Sequence, residues 1–224
     1  EVAAEWRAGA GCARAQAVLD AVAPGPAEAV ADAAAELIAD DGWVAAMLDP
    51  LVAALAADPW FEPPTRANRD PLRSGAILFE HPAATITASV LSAAKLREMP
   101  LPETVVAPGR LSVIRYVRAG HAQVARWAVP SVAEPVSAET MGRCVAEAIL
   151  CPVDGQLVRH DGRVAAQLLT GASSDVCTIT ATVRVGAPPV MREYERVSGA
   201  FIRMATTDEG AARAQLLLTL LRIA

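Results

Sequence analysis

Across residues 74–185 short apolar runs alternate residue by residue with polar ones, and turn-forming residues separate them at short intervals. Residues 83–91 place Ile86, Ala88 and Val90 on one side and Thr85, Thr87 and Ser89 on the other. Residues 176–185 set Cys177, Ile179, Ala181 and Val183 against Thr178, Thr180, Thr182 and Arg184. A period of two is the mark of a strand with two unlike faces. Residues 75–80, 111–117, 121–129, 143–150, 157–158 and 163–169 complete the block, and Ala119-Gly120 reads as the turn of a hairpin between the second and third of these. His81-Pro82, the run Cys151 to Gly155, and His160-Asp161-Gly162 supply further turns. Seven or eight such strands predict a small antiparallel barrel or jelly roll rather than an α/β enzyme. The Thr and Ser faces leave a choice between a solvent-facing surface and a ligand-lined lumen.

Helical patterns flank this block. Residues 1–57 form an N-terminal helical segment: an Ala-rich helix over 2–22, a second after Pro26 to about Asp40, and a third over 43–57. Trp43, Met47, Leu51 and Leu55 fall at four-residue spacing in the third, and Pro50 predicts a kink or restart. Residues 58–74 are a connector with Pro59, Pro63, Pro64 and Pro71, in which Trp60 and Phe61 are expected to anchor the loop on the barrel. Residues 95–108 read as a loop between strands of the 75–187 domain. Residues 188–224 return to helix: Thr206 and Glu209 fit a capping box, and Ala212, Leu216, Leu220 and Ile223 line one face, to pack on the barrel or on a dimer partner.

The chain of 224 residues is 53% apolar, but alanine supplies much of that, with only three Phe, four Trp and two Tyr. A net charge of −5 without a basic block argues against nucleic-acid binding, which needs cations to displace the counterions of phosphates. No apolar run approaches the roughly 20 residues of a membrane helix. Residues 1–23 carry Glu1, Glu5, Arg7, Arg14 and Asp20 and show no leader pattern. Cys12, Cys144, Cys151 and Cys177 lack CxxC spacing and are expected as reduced thiols, which points to a cytoplasmic protein.

Residues 142–185 resemble the second half of a cupin-type jelly roll: a strand, the turn Pro152-Val153-Asp154-Gly155, the short strand Leu157-Val158, the turn Asp161-Gly162, and two more strands. Residues 76–91 are similar to the opening strands of that superfamily, and 109–129 fall where its first motif lies. The resemblance covers about half of the chain and rests on pattern. It implies a mainly β jelly roll with flanking helices. A metal-binding cupin presents a His-x-His pair, a following Glu and a further His. Here His121 is followed two places on by Gln123, and the only other histidines are His81 and His160. The resemblance therefore implies a barrel whose usual metal site is incomplete.

No Gly-x-Ser-x-Gly, Walker or GxGxxG pattern is present. The polar residues that stand out on predicted strands are Arg115, Arg126 and Glu147, with Tyr116 and Trp127 beside them, in a β block also rich in Arg110, Arg118, Arg143, Arg159, Arg163 and Arg184. Strand arginines either fork onto a carboxylate or phosphate in a cavity, or pair with acids on the solvent face. The sequence thus predicts a non-catalytic, cupin-like binding or interaction protein, homo-oligomeric, with a small acidic ligand or a peptide as partner and no cofactor. Two alternatives stand beside it: a metal-dependent oxygenase or isomerase using His81, His121 and His160 with Glu147 or Asp161, and a ligand-sensing regulator.

Overall fold

In a computed structural model, which describes residues 2–132, 140–186 and 190–206, the chain opens with helices α1 (Val2–Arg7), α2 (Ala10–Val22), α3 (Ala27–Ala39) and α4 (Asp41–Ala57). Gly9 divides what the sequence presents as one N-terminal helix. Asp40 starts α4 two residues before Trp43, because its Oδ1 accepts from the Gly42 and Trp43 amides at 2.8 and 3.4 Å. Pro50 sits inside α4. The strands follow: β1 (Ala67–Arg69), β2 (Arg73–Glu80), β3 (Ala84–Leu91), β4 (Thr104–Ala107), β5 (Leu111–Arg118), β6 (Gln123–Ala128), β7 (Val145–Ala146), β8 (Leu157–Asp161), β9 (Ala165–Gly171), β10 (Val176–Val183), β11 (Val190–Glu195) and β12 (Phe201–Thr206), with the short helix α5 (Ala93–Glu98) between β3 and β4.

One sheet has the order β1-β2-β3-β10-β5-β8, and a second runs β7-β6-β9. β4 lies beside β9 and carries β11 and β12 beyond it. Eight consecutive strands therefore nest: β3 pairs with β10, β5 with β8 and β6 with β7, while β4 lies alongside β9 and forms its ladder with β11. A long antiparallel hairpin wrapped in this way between two sheets is a jelly roll. β1 and β2 extend the six-stranded sheet, and β4, β11 and β12 form a third, three-stranded sheet in the order β12-β11-β4.

The largest hydrophobic core lies outside the barrel, between the helices and the outer face of the six-stranded sheet. Leu19, Val30, Ala34, Ile38, Trp43 and Met47 meet Ile86, Val113, Ile179 and Val183 there. Trp6 and Trp43 bury their rings while their Nε1 groups donate to the Met47 and Gly11 carbonyls at 2.7 and 2.9 Å. Gly11 allows the contact with Met47, whose sulfur would collide with a Cβ at that position. Ion pairs rim the same interface: Arg159 with Asp32 at 2.6 Å, Arg163 with Glu28 at 2.7 Å, and Arg115 with Asp41. A second cluster gathers Leu91, Tyr116, Val124 and Val176, and a third lies around Trp127 and Tyr194. Arg192, 1% exposed, donates to the Pro130 and Arg163 carbonyls and fastens β11 to the barrel.

Several sequence expectations are corrected. β5 and β6 are not a hairpin: they lie in opposite sheets, joined by a corner where Gly120 and His121 have φ of 59 and 53°. The segment expected as a loop over 95–108 holds most of α5, whose N-cap is Ser92, and all of β4. The strand expected over 143–150 shrinks to the two residues of β7, with isolated bridges from Arg143 to Ala200 and from Leu150 to Val124. Residues 190–206 are strands rather than helix, and the C-terminal helix, with its expected dimer contact, lies outside the described residues. Trp60 is 90% exposed and anchors nothing, whereas Phe61 packs against the helical core. All four cysteines are unpaired. No helix among the described residues is long and apolar enough to cross a membrane.

Candidate functional site

Strand alternation decides what the barrel interior contains. On the six-stranded sheet the apolar set faces the helices, so the Thr and Ser set must face inward. Thr178 lies opposite Ser89 and Tyr116, Thr180 opposite Thr87 and Ile114, and Thr182 opposite Ser112, which in turn lies opposite His160. These side chains line a cavity of about 660 Å³, with Val106, Val124, Gln167 and Leu169 contributed by the other sheet. The choice left by the sequence resolves in favour of a lumen.

Most of that lining is uncharged and hydrogen-bonding. Ser89 Oγ and Thr178 Oγ1 pair at 3.0 Å, and Thr87 Oγ1 donates to the Thr180 carbonyl at 3.4 Å. Ser112, Tyr116 and His160 are largely buried residues whose side-chain polar groups open onto this space and make no hydrogen bond among the described residues. Burial raises the Tyr116 pKa, so its hydroxyl keeps its proton. Burial also lowers the His160 pKa, the nearby Arg126 guanidinium lowers it further, and Asp161 opposes them. At neutral pH the lumen therefore holds a neutral imidazole.

The five residues singled out for ligand binding separate by strand parity. Tyr116 lines the lumen. Arg126 shares the inner face of its sheet with Gln167, its partner in register, and its guanidinium lies 3.3 Å from Glu147. Together they line a second cleft at the edge of β8, beside Arg159 and Arg163. Arg115 points the other way, donating to the Ile38 carbonyl at 3.0 Å and pairing with Asp41. Trp127 is buried on the outer face of its sheet with Val105 and Tyr194. The lumen thus gathers Tyr116, places Arg126 and Glu147 nearby, and leaves Arg115 and Trp127 outside.

The three histidines do not converge. His81 is buried beneath the helices; its Nδ1 accepts from the Ala83 amide at 3.1 Å, so Nε2 carries the proton donated to Asp20 at 3.0 Å. His121 sits exposed on the corner between β5 and β6. Only His160, which the sequence places on a turn, enters the lumen, because β8 runs on to Asp161. Among the described residues no three His, Cys, Asp or Glu side chains are grouped to hold a metal ion. Hydroxyls, the Asn68 and Gln167 amides and the single Asp70 carboxylate, already accepting from the Leu72 and Arg73 amides, are with one imidazole a poor donor set for a transition metal, so these residues do not fit the metal that the sequence resemblance implies.

Ser112 and Gln167 carry no sequence signal of their own. Parity from Leu111 and Val113, both apolar, would have turned Ser112 inward once the outer face of β5 was known to be buried.

No protein-family model matches the sequence, and no curated protein matches it. Solved structures do match: a 7S globulin of Momordica charantia (12% identity, TM-score 0.34, 58% of this chain and 35% of that one) and ectoine synthase from P. lautus (9%, 0.32, 53% and 68%). A third is the capsular polysaccharide assembling protein CapF of Staphylococcus aureus (9%, 0.37, 65% and 35%). The chain spans about a third of the length of the first and last of these. The nested order from β3 and β10 inward to β6 and β7 makes the barrel a jelly roll. Its lumen opens past β1 and β2, where Arg66, Asn68 and Arg73 reach the rim.

Proposed function

We propose that the protein is a non-catalytic binding protein that takes a small molecule into the lumen of its cupin-like barrel. One observation carries this reading: a cavity of about 660 Å³ onto which the side-chain polar groups of Ser112, Tyr116 and His160 open without a hydrogen bond to any other described residue. Convergent polar groups left free to bond into a concave space of ligand size favour an occupant. The reading needs no resident cofactor and assigns no reaction.

Thermal-shift screening of a metabolite library against the wild-type protein and Thr180→Leu tests it. The larger side chain fills the middle of the lumen, so ligands that stabilise the wild type are expected to lose their effect. Equal stabilisation of both proteins by every hit, or no hit at all, overturns the proposal. Circular dichroism of the variant confirms that the barrel has formed.

A further inference from the structure

We infer that the lumen selects a neutral, polyhydroxylated molecule of the size of a cyclitol or a monosaccharide. This inference rests on the lumen-binding reading and specifies its ligand. Its basis is the contrast between the two inner walls. The six-stranded sheet presents hydroxyls at successive levels: Ser89 and Tyr116, then Thr87 and Thr180, then Ser112 and Thr182. Ser89 is engaged with Thr178, but Ser112, Tyr116 and Thr182 make no side-chain hydrogen bond among the described residues. A hydroxyl both donates and accepts, so a wall of them is matched best by groups that do the same.

The opposite wall is Val106, Val124 and Leu169, interrupted only by the Gln167 amide. A ring with hydroxyls around its edge and C–H bonds on its face suits both walls at once. Its edge meets the hydroxyl sheet while its face lies on the valine and leucine side chains.

Charge argues the same way. An anionic ligand buried here needs a free cation, and the guanidiniums are committed elsewhere: Arg115 to Asp41 outside the barrel, Arg126 to Glu147, and Arg66 to Glu80 at the rim. Arg73 lines the opening, but it is exposed, where solvent screens it. A carboxylate moved into the hydroxyl belt would lose its hydration without a counter-ion, a larger loss than hydroxyl contacts return.

Matched pairs that differ only in charge provide the test. Isothermal titration calorimetry is run with D-glucose against D-glucuronate and D-galactose against D-galacturonate, with myo-inositol as a further neutral probe. At least one neutral probe is expected to bind, with its uronate about 100-fold weaker or undetectable. Thr180→Val keeps the side-chain shape but removes one hydroxyl, and is expected to weaken the neutral probe about fivefold. Uronates binding as tightly as the neutral sugars, with both abolished by Thr180→Leu, overturn the ligand class and leave the lumen reading standing. Sugar binding that Thr180→Leu leaves intact places the sugar elsewhere and overturns both. Failure of every probe overturns the ligand class, and the lumen reading then stands or falls on the metabolite screen.

Discussion

The imidazole of His160 should make the stability of this protein fall as pH drops below neutrality, and a single substitution isolates that contribution. His160 is 6% exposed, and burial, reinforced by Arg126, lowers its pKa below the ordinary 6.5. In the unfolded chain the same ring titrates near its ordinary value. Above that pH both states hold a neutral ring and there is no linkage. As pH falls from 6.5 toward the lowered native value, the unfolded state gains a proton that the native state refuses, so native stability drops. Below the native value both rings are charged and the loss stops growing. One proton of difference corresponds to a slope of at most about 1.4 kcal/mol per pH unit within that window. Urea denaturation of the wild type and His160→Gln at pH 7.5, 6.5, 6.0 and 5.5 measures it. Carboxylates with lowered pKa values, such as Asp20, Glu28 and Asp161, lose their contributions at lower pH in both proteins and largely cancel in the difference. The wild-type stability should fall more steeply than that of the variant, starting just below pH 6.5. Parallel curves would refute the reasoning, because they would mean that the lumen solvates an imidazolium as well as water does.

Three further changes probe the scaffold. Ile86→Ala removes a fully buried side chain between the sheet and the helices, and should cost about 2–5 kcal/mol in urea denaturation. Asp40→Ala removes the acceptor for the Gly42 and Trp43 amides, and should lower stability by about 1 kcal/mol in the same assay. Gly120→Ala places a Cβ against the Ser174 carbonyl at a φ of 59°, so the corner between β5 and β6 should fail to form, with loss of the β signal in circular dichroism or of soluble expression.

Element type was legible where one face of a strand differed strongly from the other. β3 and β10 show this in the sequence, because Ile86 and Ile179 alternate with Thr87 and Thr180. β4 did not, because Pro102 and Pro108 flank a strand of four residues. Pairing was less legible than type. The corner at Gly120 has the composition of a hairpin turn, yet the chain uses its left-handed residues to cross from one sheet to the other. At the site, the sequence marks Arg115 and Tyr116 equally, and one residue of parity separates a helix clamp from a lumen wall. Only the identity of the buried face decides between them. That identity depends on helices more than 70 residues away in the chain, as the bond from Arg115 to Ile38 shows.

Those helices also account for a barrel interior that can remain open. In a small barrel without outer cover, the inward side chains must supply the hydrophobic core, and the lumen fills with them. Here α2, α3 and α4 bury the outer face of the six-stranded sheet, so Ile86, Val113, Ile179 and Val183 form the core on that side. The inner face is then released from the need to be apolar, and Thr, Ser, His and Tyr occupy it at little cost to stability. The ion pairs from Arg115, Arg159 and Arg163 to the helices hold this arrangement from the rim, which is why those arginines are unavailable to a ligand. Helical cover, outward core and uncharged lumen are consequences of one choice of strand parity.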